Sequence, residues 1–173
     1  MTTDYRAPAQ THIGHIHLKV SNLDTSVEFY RDVMGFDVVF RYGDQAAFLS
    51  AGGYHHHIGL NTWESDKGSP PAPGATGLYH LAINYPTRRD LAAALHRLIE
   101  KKWPIGGASD HGTHEALYLS DPDGIGIELA WDRDQNLWTA ADGSIVMKTA
   151  RLDLDDLLSE LEAVDQIVIP TTT

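Results

Sequence analysis

Apolar and polar positions change their period several times along the chain. Residues 13–20, IGHIHLKV, alternate and predict a strand with His15 and His17 on one face. A period near 3.6 follows, in which Val27, Tyr30, Val33 and Met34 make the apolar stripe of a helix. Asp24 or Thr25 can cap that helix, Glu28 completes a Thr-x-x-Glu capping box, and Gly35 supplies the glycine that ends it. Short strands are predicted over residues 36–42, 46–50 and 55–61, separated by Gly43-Asp44 and Gly52-Gly53 turns. Residues 1–11 are polar and read as a loose surface segment.

Residues 64–77, ESDKGSPPAPGATG, are too rich in Pro and Gly to be an element and read as a connector. The plan then recurs. Residues 78–84 predict a strand that carries His80 early, as the first strand carries His15. Thr87 and Asp90 form a capping box for a second helix, whose stripe is Leu91, Leu95, Leu98 and Ile99. Lys101-Lys102 suit its C-terminus and Pro104 stops it. Strands near Ile105, at 115–120 and at 125–131 complete a second β-α-β-β-β run. Residues 137–149 read as an excursion, and Leu152, Leu154, Leu157, Leu158 and Leu161 predict a C-terminal helix. The organisation is therefore a first module at 12–63, a linker at 64–77, a second module at 78–136 and an extension at 137–173.

Composition narrows the function classes. A net charge of −11 leaves no basic patch to neutralise nucleic-acid phosphates. The absence of cysteine excludes disulfides, a thiolate nucleophile and a thiolate metal site, and it suits a reducing cytoplasm. No stretch approaches the run of about 18 apolar residues that a membrane span needs, and residues 1–6 show no signal-peptide pattern. Ten histidines is a high count, so His and carboxylate are the strong metal ligands on offer.

The chemistry concentrates on residues 110–131, DHGTHEALYLSDPDGIGIELAW. An Asp121-Pro122-Asp123-Gly124 turn joins two strands, and Glu128 is a single acid amid Ile127, Leu129 and Trp131. A carboxylate in such a strand is expensive unless it is paired or bound. Two βαβββ units commonly curl into a half-open barrel, in which His15, His80 and Glu128 would converge as the facial triad of non-haem Fe(II) chemistry. That geometry leaves positions open for a chelating substrate and O₂. Aligning the two halves sets Ile58-Gly59-Leu60 against Ile127-Glu128-Leu129. Glycine thus stands where a fourth ligand would be, and His57 is the substitute should a fourth exist. His17 reads as a neighbour rather than a ligand. The predicted fold is α+β: two βαβββ modules forming a half-open barrel around a metal site, plus a C-terminal helix.

These segments resemble the vicinal oxygen chelate superfamily (glyoxalase, bleomycin resistance and extradiol dioxygenase proteins), most closely its catechol-2,3-dioxygenase-like branch. The resemblance rests on residues 13–20 and 29–36, on Tyr54-His-His-His-Ile-Gly-Leu-Asn-Thr-Trp63, and on Gly77-Leu-Tyr-His80. It continues through Ser109-Asp-His-Gly112, residues 115–128 and residues 147–153. It implies iron ligation by His15, His80 and Glu128, and a hydrogen bond from Tyr118 to a bound catecholate. A histidine three positions before the small residue of Ile-Gly-Leu is implied as the acid–base that assists O₂ activation. That is His56, with His57 or His55 as alternatives if the strand bulges. His111 resembles a substrate-contacting histidine, and His114 competes for that role.

The resemblance implies a non-haem Fe(II)-dependent extradiol dioxygenase acting on a small aromatic diol with O₂, with Mn(II) able to take the same site. A homodimer is expected by analogy. Rival readings are a glyoxalase-like lyase or isomerase on Zn or Ni, and a non-catalytic aromatic-drug-binding resistance protein. Related ring-cleaving enzymes use four such modules and this chain has two, so substrate preference is not transferred.

Overall fold

A computed structural model describes residues 4–162, and the chain divides between Ser69 and Pro70 into two compact units. Each unit carries one open mixed sheet built on the same plan. In the first, β1 (Ile16–Lys19), α1 (Leu23–Glu28), β2 (Asp37–Tyr42), β3 (Ala46–Ser50) and β4 (Ile58–Asn61) give the strand order β1-β4-β3-β2. In the second, β5 (Leu81–Asn84), α2 (Arg88–Glu100), β6 (Gly107–Asp110), β7 (His114–Ser120) and β8 (Gly126–Asp132) repeat it. A short β9 (Ala150–Arg151) extends that sheet, giving the order β5-β8-β7-β6-β9, and α3 (Leu154–Glu162) follows. First and last module strands run parallel in both units, β1 with β4 and β5 with β8. The α+β class, the repeated βαβββ plan and the C-terminal helix agree with the sequence reading.

Helix α1 starts earlier than its capping pattern predicts. The cap is Asn22, whose Oδ1 accepts from the Thr25 N–H at 2.9 Å, and neither Asp24 nor Thr25 serves. The apolar register decides this, because starting at Leu23 buries Leu23, Val27 and Tyr30 together. The helix then widens into a π-turn over Phe29–Val33, with the Met34 N–H donating to the Phe29 carbonyl. Gly35 ends it at φ 82, a left-handed conformation in which a Cβ would be strained.

In α2 the Thr87–Asp90 capping box forms as read. Leu91, Leu95 and Leu98 are fully buried, each contributing about 1.5–3 kcal/mol, whereas Ile99 faces solvent and leaves the stripe. Three strand starts also shift inward: β4 begins at Ile58, β5 at Leu81 and β6 at Gly107. His55–57 and His80 therefore sit in the entry segments just before their strands. Residues 163–173 of the predicted extension lie outside the described residues.

Helix α3 packs on α2 and buries Leu157. Arg88 joins three elements there: it donates to Glu115 on β7 at 2.9 Å, and to Asp156 at 2.6 Å and Glu160 at 2.8 Å on α3. Burial pulls the Arg88 pKa down, but its bonds to Glu160, Glu115 and Asp156 outweigh that and raise it. The other Glu115 oxygen is held by Arg133 at 2.7 Å. Arg88→Ala leaves half of this buried carboxylate without its cation and frees α3. The expected cost is about 3 kcal/mol, read by denaturant titration, with hydrogen exchange rising first in α3. A change below about 0.5 kcal/mol would mean that the cluster is solvated and structurally idle.

Candidate functional site

In the second unit, β-sheet register gathers four polar side chains around Glu128. Glu128 pairs with Ala82 on β5 and with Tyr118 on β7, and Ala116 pairs with Ala130 next along. Three alanines thus leave room beside a carboxylate that is only 6% exposed. That burial is tolerated because both oxygens have partners. Oε2 lies 2.9 Å from His80 Nε2. Oε1 lies 2.9 Å from His114 Nε2 and accepts from the Tyr118 hydroxyl at 3.1 Å. The Tyr118 oxygen in turn lies 2.8 Å from His111 Nε2.

Burial first, and then the adjacent Glu128 charge and hydrogen bond, push the Tyr118 phenol up to about 12. It therefore keeps its proton at neutral pH and acts as a hydrogen-bond donor. With that donation fixed, His111 Nε2–H donates to the phenol oxygen. A cavity of about 520 Å³ opens alongside, lined by Tyr79, His80, Ser109, His111, Tyr118 and Ile127. Its size suits a small organic molecule.

In the first unit the matching positions are filled differently. His15 precedes β1 as His80 precedes β5, and Gly59 takes the register position of Glu128. Phe48 stands where Tyr118 stands, and His17 where Ala82 stands. A Cβ built on Gly59 would fall 2.9 Å from the His17 ring, so the imidazole fills the volume that a residue-59 side chain needs. Burial, then His15, lowers the His17 pKa. Gly59→Glu is accordingly expected to cost about 1–3 kcal/mol through overpacking, and His17→Ala in the same chain to relieve it. Thermal denaturation of both singles and the double measures this, and an equal penalty in both backgrounds would show that His17 is not the obstacle.

The histidine run separates into distinct environments. His57 Nδ1 accepts from the Ala51 N–H at 3.3 Å and lies 3.2 Å from Ser50 Oγ, which anchors it in its loop. The His56 ring lies 4.3 Å from that of His15 and 5.0 Å from Phe48, centroid to centroid. Its Nδ1 is 2.8 Å from His55 Nδ1. Burial, then the cluster of His15, His55, His17 and His57, lowers the His56 pKa. Of the sequence-selected residues, His80, Glu128, Tyr118 and His111 come together in the second unit, and His15 and His56 in the first. The sequence reading did not select His114 as a Glu128 partner. Alternation along β7, which puts 114, 116 and 118 on one face, was the available signal.

The donor set suits a divalent first-row ion. Nitrogen and oxygen ligands at about 2.1 Å and at right angles stand about 3.0 Å apart, close to the 2.9 Å between His80 Nε2 and Glu128 Oε2. Among the described residues no group of three or more His and carboxylate side chains has the spacing of a complete site. No helix among them is long and apolar enough to cross a membrane.

Residues 12–129 match the model of the Glyoxalase/Bleomycin resistance protein/Dioxygenase superfamily. The chain is 41% identical to a catechol-2,3-dioxygenase of Bacillus subtilis over 94% of its own length, and spans 56% of that relative. It is 31% identical to the metallothiol transferase FosB of Staphylococcus epidermidis, covering 69% of this chain and 80% of the other. Among solved structures, a glyoxalase/dioxygenase from Nostoc punctiforme superimposes with a TM-score of 0.61 at 23% identity, over 78% of this chain and all of that one.

Proposed function

Since the chain belongs to the glyoxalase/bleomycin resistance/dioxygenase superfamily, we propose that it is a non-haem Fe(II)-dependent extradiol-type dioxygenase that opens a catechol-like ring with O₂. The observation that carries this reading is the Glu128 cluster: a buried carboxylate paired with His80, with the Tyr118–His111 pair on the wall of a ligand-sized cavity. The proposed ligands are His15, His80 and Glu128. Mn(II) suits the same nitrogen and oxygen donors. The bound ion supplies a template and positive charge that hold diol and O₂ together.

The protein residues do the rest. Tyr118, kept protonated by its surroundings, would turn its single hydroxyl hydrogen from Glu128 Oε1 to a diol oxygen when the substrate enters, leaving His114 to hold Oε1. His111 Nε2 would keep its contact with the phenol oxygen. His56 is the proposed acid–base, because it adjoins His15 while His57 is tied to its loop. It would take and return the proton at Nε2, its Nδ1 being engaged by His55. The cavity wall of Leu119 and Ile127 offers the ring an apolar surface and limits water. Gly59 speaks against the lyase reading, which calls for a further ligand from that strand position, where the chain has no side chain of its own and the His17 ring takes up the space. A homodimer and a cytoplasmic location belong to the same proposal, the former read by light scattering.

The test is anaerobic reconstitution with Fe(II), followed by O₂ uptake with a panel of small catechols and absorbance in the visible. One O₂ consumed per catechol with a yellow ring-opened product is the expected result. Stoichiometric iron with no uptake on any catechol would overturn the reading and send the protein to lyase substrates with Zn or Ni.

A further inference from the structure

The Glu128 carboxylate is gripped from two sides, and only one side is explained by the proposed ligand set. His80 faces Oε2. Oε1 accepts two hydrogen bonds, from Tyr118 and from His114. His114 begins β7 and pairs in register with Asp132, four residue pairs along from Tyr118–Glu128 and on the same face of the sheet. It reaches back across the intervening Ala116–Ala130 rung, where both side chains are small and buried. Larger residues at either position would block that path. The imidazole is itself mostly buried, with its side chain 21% exposed.

The hydrogen bonds also determine which nitrogen carries the proton. An ionised carboxylate only accepts, so Nε2 must be the protonated nitrogen toward Glu128. In the neutral imidazole Nδ1 then accepts from the Thr113 hydroxyl, 2.7 Å away. The chain of donors runs Thr113 O–H to His114 Nδ1, and His114 Nε2–H to Glu128 Oε1.

We propose that His114 is a positioning residue for Glu128: with Tyr118 it saturates Oε1 and turns Oε2, the oxygen beside His80, toward the ion. The inference rests on the proposed ligation by His80 and Glu128. It assigns His114 a role apart from the substrate contact for which it competes with His111, and it predicts that Glu128 binds through one oxygen. A hydrogen bond that holds a ligating carboxylate typically sets metal affinity by about 10–100-fold.

The probe is Mn(II) titrated into the metal-free full chain, with free Mn(II) read by electron paramagnetic resonance and folding followed by thermal denaturation. His114→Ala should keep one site per chain and weaken its Kd by about 10–100-fold. His114→Gln, whose side-chain N–H reaches about as far as imidazole Nε2, should restore most of that affinity. His80→Ala should abolish the site. An unchanged Kd in His114→Ala would overturn the inference. So would complete loss of the site in His114→Ala without rescue by Gln, since that is the behaviour of a ligand. Wild-type binding in His80→Ala would overturn the underlying ligand assignment as well, which distinguishes the two failures.

Discussion

Glu128→Ala is expected to abolish oxygen-dependent ring opening, by about three orders of magnitude or more. The change removes a ligand and its negative charge together. It also leaves His80 Nε2, His114 Nε2 and the Tyr118 hydroxyl without their shared acceptor. Those groups line or adjoin an open cavity, so water can replace the lost bonds and the fold should survive. Glu128→Gln separates the two effects: the amide keeps the shape and an oxygen for Tyr118, but carries no charge. Fe(II)-loaded turnover and Mn(II) binding should both collapse in Gln as in Ala, with a melting temperature close to that of the unaltered protein. Gln retaining more than about a tenth of the turnover would show that the carboxylate charge is not needed at the ion.

His56→Ala is expected to lower kcat by about 10²–10⁴-fold, the usual worth of a placed acid–base, with KM and Mn(II) affinity little changed. His57→Ala should behave differently. Its ring bonds the Ala51 N–H and faces Ser50, so its loss costs about 1 kcal/mol of stability and leaves the turnover of the folded protein within a few-fold. Steady-state kinetics of the two variants, with melting curves for each, check the assignment. If His57→Ala instead carries the kcat loss and His56→Ala is silent, the acid–base is His57.

Much of the architecture was legible because it depends on near neighbours in the chain. The Thr87–Asp90 box closes over three residues. The Asp121 carboxylate accepts from the Asp123 and Ile125 N–H groups, the turn-forming role its Asp-Pro-Asp-Gly context implies. The repeat was legible too: the register Ile16–Ile58 and Leu81–Ile127 sets Gly59 against Glu128, as the aligned halves implied. Misreadings came where two local signals competed. The sequence reading places the cap at Asp24 or Thr25, and the need to bury Leu23 with Val27 and Tyr30 moves it to Asn22.

The sequence by itself determined the fold class, the twofold plan, the family and the set of residue types able to hold a divalent ion. The fold class, the plan and the residue types are written in periodicity, turn chemistry and spacing, which act over a few bonds or recur at a fixed interval. The family is carried instead by the likeness of whole segments. Only the tertiary structure decided which partners those residues take. His114 reaches Glu128 because two alanines on neighbouring strands clear its path, and His17 fills the space of a side chain that Gly59 lacks. Arg88 ties α2 to β7 and to α3 through acids 27, 68 and 72 positions away. Such contacts form between groups brought together by strand register and helix packing; alternation can place 114, 116 and 118 on one face, but the partner each takes is set across strands and helices.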